Sequence, residues 1–252
     1  MNLRVAYCLE RGTDKAACED AALAGDVVLD EAWGEVKLTT PAAVFLLDGV
    51  GGNPGGRDAS LFAARRLASS PPPRNTDELT QLMRDVNRGL LAYAASTADK
   101  KTMATTATGV LFTGDGTWMA HIGNTRLYSL RGQYLQQMTE DQTLYQALVR
   151  RGLWEEAQTC NRSRIEGALG GGREEYIGSL VVRQVFERGI PATMALTTDG
   201  IHEYVDTDSL EELVGSGAPG PEICRTLCRM ALENGSTDDR SVLLIRRESS
   251  GD

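Results

Sequence analysis

Hydrophobic residues along the chain gather in short segments that are rich in β-branched and aromatic side chains and are bounded by turn residues. This pattern is typical of β-strands, which are usually about 5 residues long in globular proteins. We therefore predict strands in these segments. They cover residues 3–9, 42–48, 107–113, 117–123, 179–186, 192–199 and 240–247.

Two short turns indicate how some of these strands pair. The sequence GDG at 114–116 separates two of the strand segments, and RGQ at 131–133 separates the strand-like sequences TRLYSL and YLQQM. Connections as short as these join antiparallel neighbours in a hairpin. We therefore expect antiparallel sheets.

Hydrophobic positions spaced three and four residues apart predict helices between the strand blocks. Thr139 and Gln142 fit a capping box at the start of the third helix, and Gly152 fits its end. Pro221 fits the start of the last helix. The predicted helices cover residues 57–69, 76–97, 141–151 and 221–234.

The order of these elements predicts the fold class. Helices separate blocks of antiparallel strands and do not follow every strand, which favours an α+β protein over a doubly wound parallel sheet. The proline- and glycine-rich connections are short, and no internal repeat is visible. We expect a single domain over residues 1–252.

Composition and charge narrow the classes of function. The 252 residues are 41% hydrophobic, enough for a substantial core, and no apolar run approaches the ~20 residues of a membrane span. The first residues lack the apolar stretch of a secretion signal, so we expect a cytoplasmic protein. A formal charge of −9 argues against nucleic acid or an anionic membrane as the main partner.

The five cysteines show no CxxC pair and no zinc-type spacing. We predict free, mostly buried thiols. Cys224 and Cys228 lie four residues apart in a predicted helix; they are either a ligand pair or, as we expect, two core residues on one helix face.

Acidic residues recur where hydrophobic strands end or turns begin. Asp48 and Asp199 each follow an apolar strand and precede a glycine, which leaves the backbone free to approach a ligand. Each Asp-Gly pair alone is explained by a turn. Together with two acidic pairs, however, they resemble a dispersed site for Mg²⁺ or Mn²⁺, which prefer oxygen ligands. The two pairs are Glu19–Asp20 and Asp238–Asp239.

The glycine-rich sequence DGVGGNPGG at 48–56 suggests either a phosphate-binding loop or a cation-binding loop. It lacks the Lys-Ser/Thr of a P-loop, and Pro54 stands where a dinucleotide-binding loop needs glycine. A GxGxxG match at 215–220 follows a helical segment instead of a strand, so it is interpreted as an ordinary loop. A cation held by Asp48 is the better explanation of the first sequence.

Nearly the whole chain resembles the metal-dependent, type 2C serine/threonine protein phosphatases, particularly their short bacterial forms. The resemblance implies a four-layer α-β-β-α sandwich of two antiparallel sheets flanked by helices, with a two-metal site at one end. It rests on CED (18–20), DGVGGNPGGRDAS (48–60), TMATTATGVLF (102–112), AHIGNTRLYSL (120–130), MTEDQTLYQALVRRG (138–152), ALTTDGI (195–201) and STDDRSVLLI (236–245), in that order.

The resemblance also implies roles for individual residues. Asp48 matches the aspartate that bridges both metals, and the Gly49 carbonyl matches a ligand of the second metal. Asp199 and Asp238 match the remaining carboxylate ligands of the first metal. The acidic pair Glu19 and Asp20 matches residues that hold the second metal, mostly through its water ligands.

The implied activity is hydrolysis of phosphoserine and phosphothreonine in proteins, with two Mn²⁺ or Mg²⁺ ions as cofactors. A water bridging the metals attacks the phosphate directly, so no phosphoenzyme forms. The implied partners are phosphorylated proteins, and the enzyme would oppose a serine/threonine kinase in bacterial signal transduction. We expect a monomer.

Two positions depart from the family pattern. Lys15 stands where an arginine usually grips the substrate phosphate, so it is either a weaker phosphate ligand or a surface lysine. Asn124 stands where an aspartate helps to hold a third metal, so we expect a third metal to bind poorly. These departures leave an alternative open, namely a weakly active or inactive relative that binds phosphoproteins as a regulatory module.

Overall fold

The computed structural model describes residues 1–51, 54–187 and 189–248 of the chain. In these ranges the strands are β1 Asn2–Glu10, β2 Ala21–Ala24, β3 Val27–Leu29, β4 Trp33–Thr39, β5 Ala42–Leu47, β6 Ala104–Thr105, β7 Ala107–Thr113, β8 Gly116–Ile122, β9 Arg126–Arg131, β10 Tyr134–Gln137, β11 Leu169–Gly170, β12 Val181–Phe186, β13 Thr193–Thr197 and β14 Arg240–Arg247. The α-helices are α1 Gly56–Ala68, α2 Thr76–Ala95, α3 Leu144–Arg150, α4 Trp154–Thr159, α5 Asp199–His202, α6 Thr207–Gly215 and α7 Gly220–Glu233, and a 3₁₀ helix covers Glu174–Ser179.

Two six-stranded antiparallel sheets form the centre of the fold. The first has the order β10-β9-β13-β14-β1-β4, and the second has the order β12-β8-β7-β5-β2-β3. The short strands β6 and β11 pair with each other beside the second sheet. Neighbouring strands pair antiparallel throughout these sheets, as the hairpin turns predicted.

Three hydrophobic clusters hold the layers together. Residues that alternate along β14 divide between two of them: Leu243 packs against the second sheet, and Leu244 packs toward α7. A third cluster joins the second sheet to α1 and α2. Both sheets are therefore covered on both faces, which gives the predicted α-β-β-α sandwich.

The predicted hairpins are confirmed, since β7 pairs with β8 and β9 with β10. The predicted capping box of the third helix is wrong. Thr139 accepts a hydrogen bond from the Leu127 amide, and the helix starts five residues later, at Leu144. Its N-cap is Thr143, whose hydroxyl accepts from the Gln146 amide at 3.2 Å.

The prediction of free cysteines is confirmed, and Cys224 and Cys228 lie in the core on the buried face of α7. Within the described residues, no helix combines the length and apolar character that crossing a membrane requires.

Candidate metal centre

Asp48 lies where β5 ends, and the chain opposite fixes its backbone. Its amide donates to the Thr106 hydroxyl at 3.0 Å, while its carbonyl accepts from the Thr106 amide at 2.8 Å. The Thr105 hydroxyl donates to the same carbonyl at 2.9 Å. These three bonds hold the start of the glycine-rich loop in one position.

Gly49 brings the Asp48 loop against the segment that carries Glu19. A Cβ atom at Gly49 would lie 2.5 Å from the Gly56 carbonyl oxygen and 2.6 Å from the Glu19 carbonyl oxygen. Real Cβ atoms do not approach backbone so closely, so only glycine fits here. The absence of a side chain therefore lets the two acidic segments pack together.

Asp199 is the first residue of α5, two residues after β13 ends. A Cβ at the next residue, Gly200, would lie 1.9 Å from the Asp239 carbonyl oxygen. The chain after β13 and the chain before β14 thus touch through their backbones. The predicted strand at 192–199 is therefore too long at its end, because its last residues turn into this short helix.

Asp239 is buried and organises the loop between β1 and β2. One of its carboxylate oxygens accepts from the Gly12 amide at 2.7 Å, and the other accepts from the Glu19 amide at 2.8 Å. Its neighbour Asp238 is much more exposed, and its carboxylate carries no such amide bonds from that loop. This difference supports the prediction that Asp238, and not Asp239, is the metal ligand.

The acidic residues from these segments interact electrostatically. Burial, followed by the charge of Asp239, raises the pKa of Asp20 well above its ordinary value. Burial and the charge of Asp199 raise the pKa of Asp48 in the same way. Burial and the charge of Asp238 raise the pKa of Asp199 to about 6. The carboxylates predicted from four separate parts of the sequence thus lie close enough to repel one another.

Asp20 has the least favourable environment of these carboxylates. Its side chain is 1% exposed, and neither of its carboxylate oxygens accepts a hydrogen bond from the described residues. A buried carboxylate without a partner is costly, and a nearby divalent cation would compensate for it.

Replacing Asp20 with asparagine should stabilise the protein in the presence of a chelator, and the gain should grow with pH. Because the pKa of Asp20 is raised, the folded wild type keeps a proton that the unfolded chain releases above about pH 4. The wild type therefore loses stability as pH rises from about 4 up to that raised pKa, whereas the amide does not titrate. We expect the free energy of unfolding in urea to rise by ~1–3 kcal/mol at pH 8.

The matched control is Asp26→Asn, which changes an exposed aspartate in the turn between β2 and β3. It should leave the free energy of unfolding unchanged at every pH. A gain from Asp20→Asn that shrinks as pH rises would contradict the assignment of a raised pKa.

Two nitrogen groups already contact the carboxylates. The Lys15 ammonium lies 2.6 Å from Asp238, 2.9 Å from Asp239 and 3.2 Å from Glu19. Burial lowers its pKa, but the hydrogen bonds and charges of the two aspartates outweigh burial and raise it overall. The Asn124 amide nitrogen donates to an Asp199 carboxylate oxygen at 2.9 Å.

The donor set fits hard divalent cations in chemical type, because carboxylates, a backbone carbonyl and room for water are what they prefer. Among the described residues, however, no three Asp, Glu, His or Cys side chains surround one point closely enough to hold a metal as they stand. A cavity of about 260 Å³ opens beside them, and Lys15, Asp199 and Asp238 line it. The ligands are thus near one another without forming a closed cage.

Sequence reasoning missed the residues that hold these ligands in place. Thr105 and Thr106 fix the backbone of Asp48, a role that was not predicted for either residue. His121 is buried and has a structural role, because its Nε2 donates to the Glu140 carbonyl at 2.9 Å and its Nδ1 lies 2.8 Å from the Thr108 hydroxyl. The run of hydroxyl residues in TMATTATG was the available signal for the threonines.

Comparison with known proteins finds relatives with similar sequences, although no family model matches the chain. A serine/threonine phosphatase, Stp, of Listeria monocytogenes is 29% identical over 218 residues, which are 81% of this chain and 84% of that protein. The serine/threonine protein phosphatase PstP of Mycobacterium tuberculosis is 29% identical over 252 residues. That match covers 96% of this chain but only 44% of PstP.

Solved structures match over nearly the whole chain. A crystal structure of Mycobacterium tuberculosis PstP superimposes with a TM-score of 0.81 and 28% identity, covering 99% of this chain and 100% of the other. The catalytic domain of PstP in complex with two manganese ions superimposes with a TM-score of 0.77 and 26% identity, covering 98% and 99%. Both sheets and the flanking helices are therefore shared with these proteins.

Proposed function

We propose that the chain belongs to the family of metal-dependent, type 2C serine/threonine protein phosphatases and that it removes phosphate from phosphoserine and phosphothreonine in proteins. The observation that carries this proposal is the meeting of Asp20, Asp48, Asp199 and Asp238 at one end of the sandwich, where burial and neighbouring carboxylates raise the pKa of Asp20, Asp48 and Asp199. The names of the relatives, all phosphatases, favour an enzyme over a regulatory module without activity.

Two Mn²⁺ or Mg²⁺ ions are the cofactors. Asp48, Asp199 and Asp238 would hold one ion, and Asp48 would also hold the other. The second ion would further use the Gly49 carbonyl and the acidic pair Glu19–Asp20. Such ions activate water near neutral pH and neutralise charge on phosphoryl oxygens.

The chain's own contribution is to fix these ligands and to receive the phosphate. Three hydrogen bonds with Thr105 and Thr106 hold the Asp48 backbone, and Gly49 allows the Glu19 segment to approach. We assign Lys15 to binding of the substrate phosphate. Cys18 lies nearby but is a poor nucleophile, because burial, followed by the charge of Asp20, raises the pKa of its thiol.

A polar cleft beside the Asp48 loop offers room for a peptide. It has a volume of about 690 Å³, and its lining includes Val50, Gly51, Arg164 and Tyr176. We propose that the residues flanking the phosphorylated side chain lie in this cleft.

Further properties follow as parts of the same proposal. We propose that residues 1–252 form a single catalytic domain that acts as a monomer and opposes a serine/threonine kinase. The five free cysteines suit a reducing compartment such as the cytoplasm.

Hydrolysis of p-nitrophenyl phosphate and of a phosphothreonine peptide tests the function directly. Chelator-treated protein should be inactive, and either Mn²⁺ or Mg²⁺ should restore turnover of both substrates. Activity that persists in chelator would overturn the metal-dependent mechanism. Failure of both metals to produce turnover would overturn the enzymatic function.

Replacing Asn124 with aspartate should add a weak binding site for Mn²⁺. The wild-type amide donates a hydrogen bond to Asp199, whereas a carboxylate there would repel Asp199 until a cation binds. We expect a lower melting temperature in chelator and a higher number of Mn²⁺ ions bound per chain, measured by equilibrium dialysis. An unchanged number of bound ions would show that Asn124 does not limit metal binding.

A further inference from the structure

Lys15 lies among the metal ligands themselves. Its ammonium contacts Asp238, assigned to one cation, at 2.6 Å, and Glu19, assigned to the other, at 3.2 Å. The third contact, to Asp239 at 2.9 Å, reaches the residue that organises the loop between β1 and β2. A single positive charge thus bridges ligands predicted for two different ions.

The position of the Lys15 ammonium reduces the electrostatic repulsion among the carboxylates of the acidic site. Several carboxylates close together repel one another unless a cation lies between them. The Lys15 side chain is 23% exposed, so its charge acts in a less polar environment than a surface lysine would. Its contacts also occupy carboxylate oxygens that a metal ion would need.

We propose that Lys15 is a tethered cation: its ammonium neutralises the site before metal binds, and metal binding displaces it into the adjoining cavity, where it can meet the substrate phosphate. The inference rests on the proposed function, because it assigns one residue to both the metal-free site and the phosphate site. Lysine suits this double use, since its charge is compact and its four-carbon stem is flexible.

The cavity provides a place for the displaced ammonium. Its lining includes Lys15 and Asp238 together with Ser163 and Tyr204, and its volume is about 260 Å³. The move therefore requires rotation of one side chain, while the backbone of the loop stays held by Asp239 through the Gly12 and Glu19 amides.

One consequence is that the Lys15 ammonium competes with metal ions for the carboxylate oxygens. Chelator-stripped Lys15→Met should bind Mn²⁺ at least about tenfold more tightly than the wild type in isothermal titration calorimetry, because the positive charge no longer opposes the incoming ion. It should also melt at a lower temperature in chelator, because the carboxylates lose their counter-ion. Lys37→Met removes an exposed lysine from β4 and should change neither quantity.

The Mn²⁺ titrations distinguish failure of the proposal for Lys15 from failure of the proposed function. Equal Mn²⁺ affinity in the wild type and Lys15→Met, or weaker affinity in the variant, would overturn the tethered cation and leave the phosphatase function standing. Absence of Mn²⁺ binding by both proteins would overturn the metal site and the function with it.

A measurement on the wild type alone covers the case in which Lys15→Met does not fold. Acetylation by an N-hydroxysuccinimide ester, followed by peptide mass spectrometry, should label Lys15 slowly in chelator and several-fold faster with Mn²⁺. Inorganic phosphate added with Mn²⁺ should slow the labelling again, while Lys37 reacts at a constant rate. If Mn²⁺ binds and the rate at Lys15 does not change, the displacement is refuted.

Discussion

Replacing Asp48 with alanine should lower kcat/KM for p-nitrophenyl phosphate in Mn²⁺ by about a thousandfold or more, because a residue assigned to both cations is lost. The backbone at this position is held by hydrogen bonds from Thr105 and Thr106 that do not involve the carboxylate. The substitution should therefore remove a ligand without unfolding the loop. Steady-state kinetics over a range of Mn²⁺ concentrations measures the loss.

The comparison variant is Asp115→Ala, which changes an exposed aspartate in the turn between β7 and β8. Its kcat/KM should equal that of the wild type. In chelator, Asp48→Ala should unfold at the same temperature as the wild type or higher, because the half-buried carboxylate that it removes is repelled by Asp199. Activity within tenfold of the wild type would contradict a bridging role for Asp48.

Replacing Gly200 with alanine should have the largest effect on stability, with a loss of ~3 kcal/mol or more in the free energy of unfolding. The added Cβ would lie 1.9 Å from the Asp239 carbonyl oxygen, and backbone cannot move aside as a flexible side chain can. The chain after β13 and the chain before β14 would have to separate. Since these segments carry Asp199 and Asp238, Mn²⁺ affinity should fall together with stability.

Urea unfolding and Mn²⁺ titration of the same variant measure the two effects. The control is Gly217→Ala, since a Cβ at Gly217 would meet no atom within 4 Å and its φ is not positive. That variant should match the wild type in both measurements. A Gly200→Ala protein with unchanged stability would show that the backbone contact is not tight.

The sequence predicted most of the fold because its hydrophobic pattern is strong where both sheet faces are buried. Strands β7 and β14 are almost entirely buried, and both were predicted within a residue. Strand β4 was missed, because its residues alternate between exposed and half-buried at the edge of the first sheet. Strands β2 and β3 were missed because they have four and three residues, too few for a periodic pattern.

The candidate site was predictable in its residue types but not in its contacts. Asp48 and Asp199 could be found because each lies between an apolar strand and a glycine. The ion pairs of Lys15 with Asp238 and Asp239 could not, since both of these partners lie over 200 positions away in the sequence. The role of Asp239 could not be predicted for the same reason. It lies just before β14, whereas the loop that it binds lies between β1 and β2.

The ligands assigned to the first cation come from both sheets. Asp48 follows β5 of the second sheet, whereas Asp199 and Asp238 flank β13 and β14 of the first. An ion bound by all three would cross-link the halves of the sandwich at its open end, much as a disulfide joins two strands. Slow hydrogen exchange at that end would then report metal occupancy, and the packing between the sheets would set how tightly the ion is held.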